Sequence, residues 1–254
     1  MSVDRLLFKT TFIKGNPPQW RCPTCGTGVL SPIVDSFVFE ETKDSTHAHK
    51  HEAWEPEWIE YVYSCQLKCS NPACEEKIFS IGDGTVDSYV DDDNGQKLVY
   101  CDYFRPKFFL PNLKIFTIVK NTPADIKESI EESFKLFFAS PPAAGNQLRI
   151  ALVRLLDNLK IQKITNKKGR RSLLTTHARI DKLPKKYAKF QNLFYAIKWL
   201  GNNGSHSQEL NMDDIMDAYD IFEIVLDEIF DKKTLTLEKT VARINKNKGK
   251  VKGM

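Results

Sequence analysis

Residues 58–81 read WIEYVYSCQLKCSNPACEEKIFSI, and this stretch decides the fold of the first half of the chain. Trp58 to Lys68 is rich in Ile, Tyr and Val, the composition of a strand. Lys77 to Ile81 is a second, shorter run of the same kind. Between them lies Cys69-Ser-Asn-Pro-Ala-Cys74, in which Asn71-Pro72 supplies a turn. A bend that carries two thiols between two strands is the outline of a metal knuckle. Its counterpart is Cys22-Pro-Thr-Cys25-Gly26, where two residues separate the thiols and Gly26 permits the tight backbone that aims amides at sulfur. Cys22, Cys25, Cys69 and Cys74 are therefore the expected ligands of a structural zinc. Four thiolates close a tetrahedron and leave no position open for substrate.

Working outward, the 43 residues between the two cysteine pairs exceed the loop of a usual zinc ribbon and read as an insertion. The insertion carries His47, His49 and His51, which could bind a metal or belong to an acidic solvated loop with Glu52, Glu55 and Glu57. Lys97 to Phe109 is a third strand, reached through the turn signal Asn94-Gly95. Cys65 and Cys101 fall in strand patterns and read as core thiols, with Cys65 the alternative to Cys69 as a ligand.

The chain has 254 residues and a formal net charge of +4. That total hides a division. Residues 1–120 carry a net −4, residues 121–231 are nearly neutral at +1, and residues 232–254 carry +7. All six cysteines precede residue 102. Hydrophobic residues make up 41%, enough for buried cores, which excludes a wholly disordered chain. No apolar run reaches the length of a membrane span and the N-terminus lacks a signal peptide's apolar core, so a cytoplasmic protein with no membrane partner is expected. Cysteines in such a compartment point to metal before disulfides.

The second half reads as helices. Thr122 is the expected N-cap of a helix opened by Pro123-Ala124-Asp125, and Ile126, Ile130, Phe134 and Phe137 share one face. A second helix runs from about Ala144 to Leu159. Leu148, Leu152, Val153, Leu155 and Leu156 define its apolar arc, and Arg149 falls inside that arc. A third runs from about Pro184 to Leu200, and a fourth follows Asn211 as N-cap. Positions 245–254 read as a disordered basic tail.

Two features carry candidate chemistry. Arg149, placed within an apolar arc, must find partners, either structural ones or a phosphate in a cleft. The segment from Lys198 through Gly201, Asn202 and Gly204 to His206 sets polar groups beside apolar helix ends. His206 could act as acid or base on a phosphodiester, Arg149 or Lys198 could stabilise the charge, and Asn202 could orient them. A further segment, Lys163 to Arg171, holds Lys167, Lys168, Arg170 and Arg171 without an acid. It reads as a loop able to meet RNA or DNA phosphates. It has no aromatic residue on which a base could stack.

Thr122-Pro123-Ala124-Asp125-Ile126, then Asn146-Gln147-Leu148-Arg149 leading into Leu155-Leu156-Asp157, then Gly201-Asn202 through Gly204-Ser205-His206, resemble the uncharacterised helical domain of bacterial restriction- and defence-associated proteins. That domain is similar to the HEPN superfamily of helical bundles, and its standalone members often carry an N-terminal zinc ribbon. The resemblance covers roughly residues 115–231, and 20–90 more loosely. It implies a helical bundle, a homodimer or a protein complex, and a metal-independent ribonuclease activity found in many HEPN proteins. Their motif leaves four to six residues between an arginine and a histidine. Here the corresponding positions before His206 hold Gly201, Leu200 and Trp199, so Lys198 or Arg149 would have to substitute.

The resulting expectation is an α+β protein. A zinc ribbon-like β-rich domain spans 1–115, an all-α HEPN-like bundle spans 116–231, and a basic extension spans 232–254. The leading function is a defence-associated nucleic-acid-interacting protein, with ribonuclease activity as its catalytic form. The alternatives are a non-catalytic binding or dimerisation module and a nucleotide or phosphate sensor.

Overall fold

The computed structural model describes residues 3–9, 11–91, 97–167, 170–203 and 210–246. The chain divides into two compact units. The first comprises Asp4–Lys114 with Phe134–Ser140, and the second is built from Ile115–Ser133 and the chain from Pro141 onward, with Val3.

In chain order the first unit contains α1 (Arg5–Lys9), β1 (Leu30–Pro32), β2 (Val38–Glu41), α2 (Lys43–Ala48), a 3-10 turn (Pro56–Trp58), β3 (Glu60–Cys69), β4 (Lys77–Asp91) and β5 (Lys97–Leu110). The strands form one antiparallel, curled sheet in the order β1-β3-β4-β5. β2 pairs with β3 along the same edge as β1. Strand alternation selects the buried face. Tyr63, Cys65, Leu67 and Cys69 of β3 point inward, as do Ile78 and Ser80 of β4, while the residues between them face outward. The inward face closes on aromatic rings. Phe37 stacks on Tyr63 at 5.2 Å, Phe104 meets Phe37 at 4.8 Å, and Trp20 meets Phe109 at 5.0 Å. A buried polar pair on this face is satisfied internally, Tyr63 Oη with Ser80 Oγ at 3.0 Å.

The second unit contains most of α3 (Ala124–Leu136), then α4 (Pro141–Asn158), β6 (Ile164–Lys167), β7 (Arg170–Leu173), α5 (Thr176–Ile180), a 3-10 turn (Lys185–Phe190), α6 (Gln191–Asn203), α7 (Met212–Phe230) and α8 (Lys232–Lys246). Its core is mainly apolar: Ile126, Ile130, Leu148, Leu152, Phe194 and Phe222 are fully buried. Asn211 caps α7 in a reciprocal box with Asp214, at 3.1 and 2.9 Å. The buried Ser133 hydroxyl bonds both the Ala144 carbonyl at 2.9 Å and Tyr219 Oη at 2.8 Å.

The architecture corrects the expected one on both sides of the chain. The first unit is not a small ribbon with an inserted loop. β4 and β5 run for 15 and 14 residues, and the insertion supplies β2, α2 and most of β3. The second unit is not all-α, because β6 and β7 pair antiparallel between α4 and α5, from Ile164↔Leu173 to Lys167↔Arg170. The α+β class stands; the all-α HEPN-like bundle does not. Thr122 does not cap α3, since its buried hydroxyl has no hydrogen-bond partner. Residues 232–246 form a helix, whereas the remaining tail positions 247–254, and the Asn94-Gly95 turn, lie outside the described residues.

The buried arginine is also a different one. Arg149 is half-exposed: Gly201 of α6 comes so close to α4 that a Cβ there would lie 2.6 Å from Arg149 Cβ, and the guanidinium turns back to Asn146 Oδ1 at 2.9 and 3.3 Å. Arg179 of α5, in contrast, has a side chain only 3% exposed. Its Nη2 donates to Asp157 Oδ1 at 2.7 Å and to the Ile161 carbonyl at 3.2 Å, while Lys163 donates to Asp157 Oδ2 at 3.0 Å. This pair braces the base of the β6–β7 hairpin, where Leu174 N donates to the Lys163 carbonyl.

Partial burial pushes the Asp157 carboxyl up, but the hydrogen bonds from Lys163 and Arg179 outweigh it and hold it below its usual value. A folded-state value below the unfolded one gives stability that is present above the unfolded pKa and is lost as pH falls through the folded one. Asp157→Ala strands the buried guanidinium and is expected to cost about 3 kcal/mol. In urea denaturation it should also flatten the loss of stability below about pH 4. A cost under about 1 kcal/mol would mean that Arg179 and Asp157 behave as an exposed surface pair.

Candidate functional site

The pairing of β1 with β3 brings the two cysteine knuckles together. Leu30 pairs with Cys69, so the turn that precedes β1 lies beside the turn that ends β3. In the first turn, Gly26 N donates to the Cys22 carbonyl at 2.9 Å and Gly26 takes a left-handed φ of 70°. In the second, Asn71 organises the bend: its side chain accepts from Ala73 N at 3.0 Å and its carbonyl from Cys74 N at 3.0 Å. The sulfurs of Cys22, Cys25, Cys69 and Cys74 then lie within 4.8 Å of one another.

This cluster fits a metal ion. A tetrahedral zinc with bonds of about 2.3 Å sets its sulfurs about 3.8 Å apart. The closest pairs match that edge, Cys22 with Cys74 at 3.8 Å and Cys25 with Cys69 at 3.7 Å. Amides point at the sulfurs as well, with Gly28 N 3.3 Å from Cys25 Sγ and Asn71 N 3.4 Å from Cys69 Sγ. The Thr27 hydroxyl, with the Gly28 and Thr27 amides, lowers the Cys25 thiol to about 5, the thiolate a metal requires. Burial pushes Cys69 the other way, to about 12, so its ionisation needs a cation. Gly28 makes the closure possible. A Cβ on it would lie 2.3 Å from Cys69 Sγ, a requirement that the spacing of the cysteines does not disclose.

The other sulfurs stay apart from this centre. Cys65 is buried on the inner face of β3, and burial raises its thiol to about 11. It sits four residues from Cys69 on an extended strand, about 13 Å away along the chain. Cys101 is half-buried opposite Asp87. The three histidines do not assemble into a second site. His49 Nε2 bonds Glu41 Oε2 at 2.9 Å and its ring lies 4.4 Å from that of Trp54, while His51 lies 5.4 Å from Trp58 and accepts from Ala53 N. Among the described residues, the four cysteines are the one group of metal-ligating side chains close enough to hold an ion.

In the second unit, the basic segment is a β-ribbon rather than a loop. Arg170 and Arg171 are exposed on β7, and as neighbours on a strand they point to opposite faces. Lys167 is the last residue of β6, while Lys168 lies outside the described residues. The expected catalytic group is only partly placed. Arg149 is engaged with Asn146, Lys198 is buried against His177, Asn202 lies in the last turn of α6, and His206 lies outside the described residues. His177 was not among the candidates, because its partner is 21 positions away and no local pattern joins them.

A family model described as a domain of unknown function, DUF8608, matches residues 10–109, and a second, DUF4145, matches residues 131–247. The two matches meet the sheet with its cysteine centre and the helical unit with its hairpin, respectively. No curated protein and no solved structure matches the chain. No helix is long and apolar enough to cross a membrane among the described residues.

Protein purified without chelator is expected to carry about one metal ion per chain, as four-thiolate sites do. Gly28→Ala and Cys69→Ser should each remove most of it and lower the melting temperature, whereas Cys65→Ser should leave the metal content unchanged. Elemental analysis beside thermal melts reads both. Full metal retention in Cys69→Ser would assign the ion elsewhere.

Proposed function

We propose that this protein binds nucleic acid through the basic hairpin β6–β7, and that its four-cysteine centre holds a structural zinc. The observation that carries the reading is the state of the basic segment. Its cations stand on a paired ribbon that the Arg179–Asp157 contact braces at the base. Guanidinium groups held on a fixed scaffold lose less freedom on meeting phosphates than the same groups on a solvated loop. A two-stranded ribbon with a cation on each face can lie along a nucleic-acid backbone. The closed sulfur tetrahedron supports zinc in a structural role, pinning the ends of β1 and β3.

Binding is preferred to RNA cleavage for a specific reason. Cleavage would need cations gathered at one phosphate, and Arg149 turns its guanidinium to Asn146 while Lys198 stands beside His177. A cytoplasmic, defence-associated setting and a dimer are what the resemblance implies, and they are proposed on that basis alone.

The test is the salt dependence of binding to a labelled oligonucleotide. Replacing Arg170 and Arg171 by Ala should weaken binding at low salt and make the slope of log K against log salt shallower by about one for each phosphate contact removed. An unchanged slope would sink the hairpin as the contact surface.

A further inference from the structure

Lys198 is the most unusual cation in the described structure. It is only 8% exposed, and among the described residues no carboxylate lies within ion-pair distance of it. Its Nζ lies 3.3 Å from His177 Nδ1 and 3.3 Å from the centre of the Trp199 ring. A buried ammonium is costly unless an anion pairs with it. A ring face and an imidazole lone pair supply only part of that compensation.

The neighbours complete a receiving surface. With Nδ1 accepting from the ammonium, the imidazole proton sits on Nε2. Nε2 faces the Asp181 carboxylate, with Oδ2 at 3.8 Å, an ion-pair separation longer than a hydrogen bond, and the His177 side chain is half-exposed. Asp181 is itself engaged by the Tyr195 hydroxyl. A half-exposed N–H donor, only loosely paired with Asp181, therefore stands on the imidazole that touches a buried positive charge. Beside it are aromatic faces. Tyr195 and Trp199 are one turn apart on α6, His177 lies 4.9 Å from Tyr195 and 6.2 Å from Trp199, and Trp199 is 54% exposed. One face of the indole is taken by Lys198. The exposed remainder is a platform for a planar group.

We propose that His177, Lys198 and Trp199 form a seat for one nucleotide of a single strand, its base stacked on Trp199 and its phosphate received by His177 Nε2 in the field of Lys198. The seat rests on the nucleic-acid reading of the hairpin and adds the strand form that is bound. His177 follows the end of β7 by four residues, so a strand leaving the seat can run along the hairpin toward Arg171 and Arg170. Only an unstacked base can lie on an exposed indole, so duplex is excluded from the seat. The seat supplies the aromatic surface that the basic segment itself lacks.

The experiment measures fluorescence anisotropy of the full chain with labelled single-stranded RNA, single-stranded DNA and a blunt duplex, each of about 12 nucleotides per strand. Unsubstituted protein should bind single strands more tightly than duplex. Trp199→Ala and His177→Ala should each weaken single-strand binding about tenfold and leave duplex binding unchanged, while Trp199→Phe retains most of the affinity. Lys198→Met, which keeps the buried stem, should weaken single strands alone. Circular dichroism of each variant separates lost binding from lost fold. If Trp199→Ala and Trp199→Phe both bind single strands as the parent does, the seat is wrong, whatever the hairpin variant shows. If the double replacement of Arg170 and Arg171 has no effect while Trp199→Ala does, the hairpin reading falls and the seat stands. Binding of neither form by the unsubstituted protein overturns both. Preference for RNA or for DNA between the single-strand arms identifies the strand that is recognised.

Discussion

The pairing of Leu30 with Cys69 is the contact on which the first unit depends. It joins segments far apart in the chain, and closing so long a loop has an entropic cost that local turns cannot offset. The cost is met by what the pairing aligns. Trp20 is carried under the sheet, where it packs on Phe12 and Phe109, and Cys22 and Cys25 are carried to Cys69 and Cys74. A metal bound by the four sulfurs would act on the same edge, because it ties the start of β1 to the end of β3. The sulfur centre and the aromatic core are thus two consequences of one register. A slip by one residue would turn Cys69 to the opposite face and break both.

Much of this was legible because it is encoded locally. The turn residues Asn71-Pro72 and Gly26 sit within the knuckles they shape, and the inward residues of β3 alternate with polar ones. The extent of β4 was not legible. Beyond Ile81 the strand continues through Gly82, Asp83, Gly84 and Asp87, residue types that seldom form strands. It is held by pairing with β5 up to Asp91↔Lys97 and by ion pairs of Asp83 with Arg105 and Lys107 across the outer face. Gly28 escaped notice for a similar reason. Its role comes from a sulfur that arrives from 41 residues away, and no pattern around Gly28 announces it.

In the second unit the apolar stripes announced the main helices, but charge hid the rest. The basic residues between Lys163 and Arg171 read as a solvated loop. Yet Ile164 and Thr165 on one side, Ser172 and Leu173 on the other, and Gly169 between them form a modest hairpin signal. Helical periodicity also assigned burial to the wrong arginine. A 100° wheel placed Arg149 among leucines, but at the close approach of Gly201 only its stem is covered, and the head escapes to Asn146. Arg179 is buried because Asp157 and the Ile161 carbonyl are delivered to it by α4 and its C-terminal turn. Neither partner is within helical reach of it in sequence.

The two units solve one problem in the same way. Each has a short segment with too few apolar residues to fold by burial, and each fixes that segment by a polar device at its base. In the knuckles the device is a ring of sulfurs met by amides. In the hairpin it is a guanidinium shared between a carboxylate and a carbonyl, with Lys163 on the carboxylate's other oxygen. The consequence for function differs. Four sulfurs turned inward on one ion have no capacity left for a second ligand. The hairpin's brace spends Asp157 on Arg179 and Lys163, and Arg170 and Arg171 stay exposed beyond the brace. On the proposed reading the first device serves stability and the second serves recognition, because only the second leaves cations exposed.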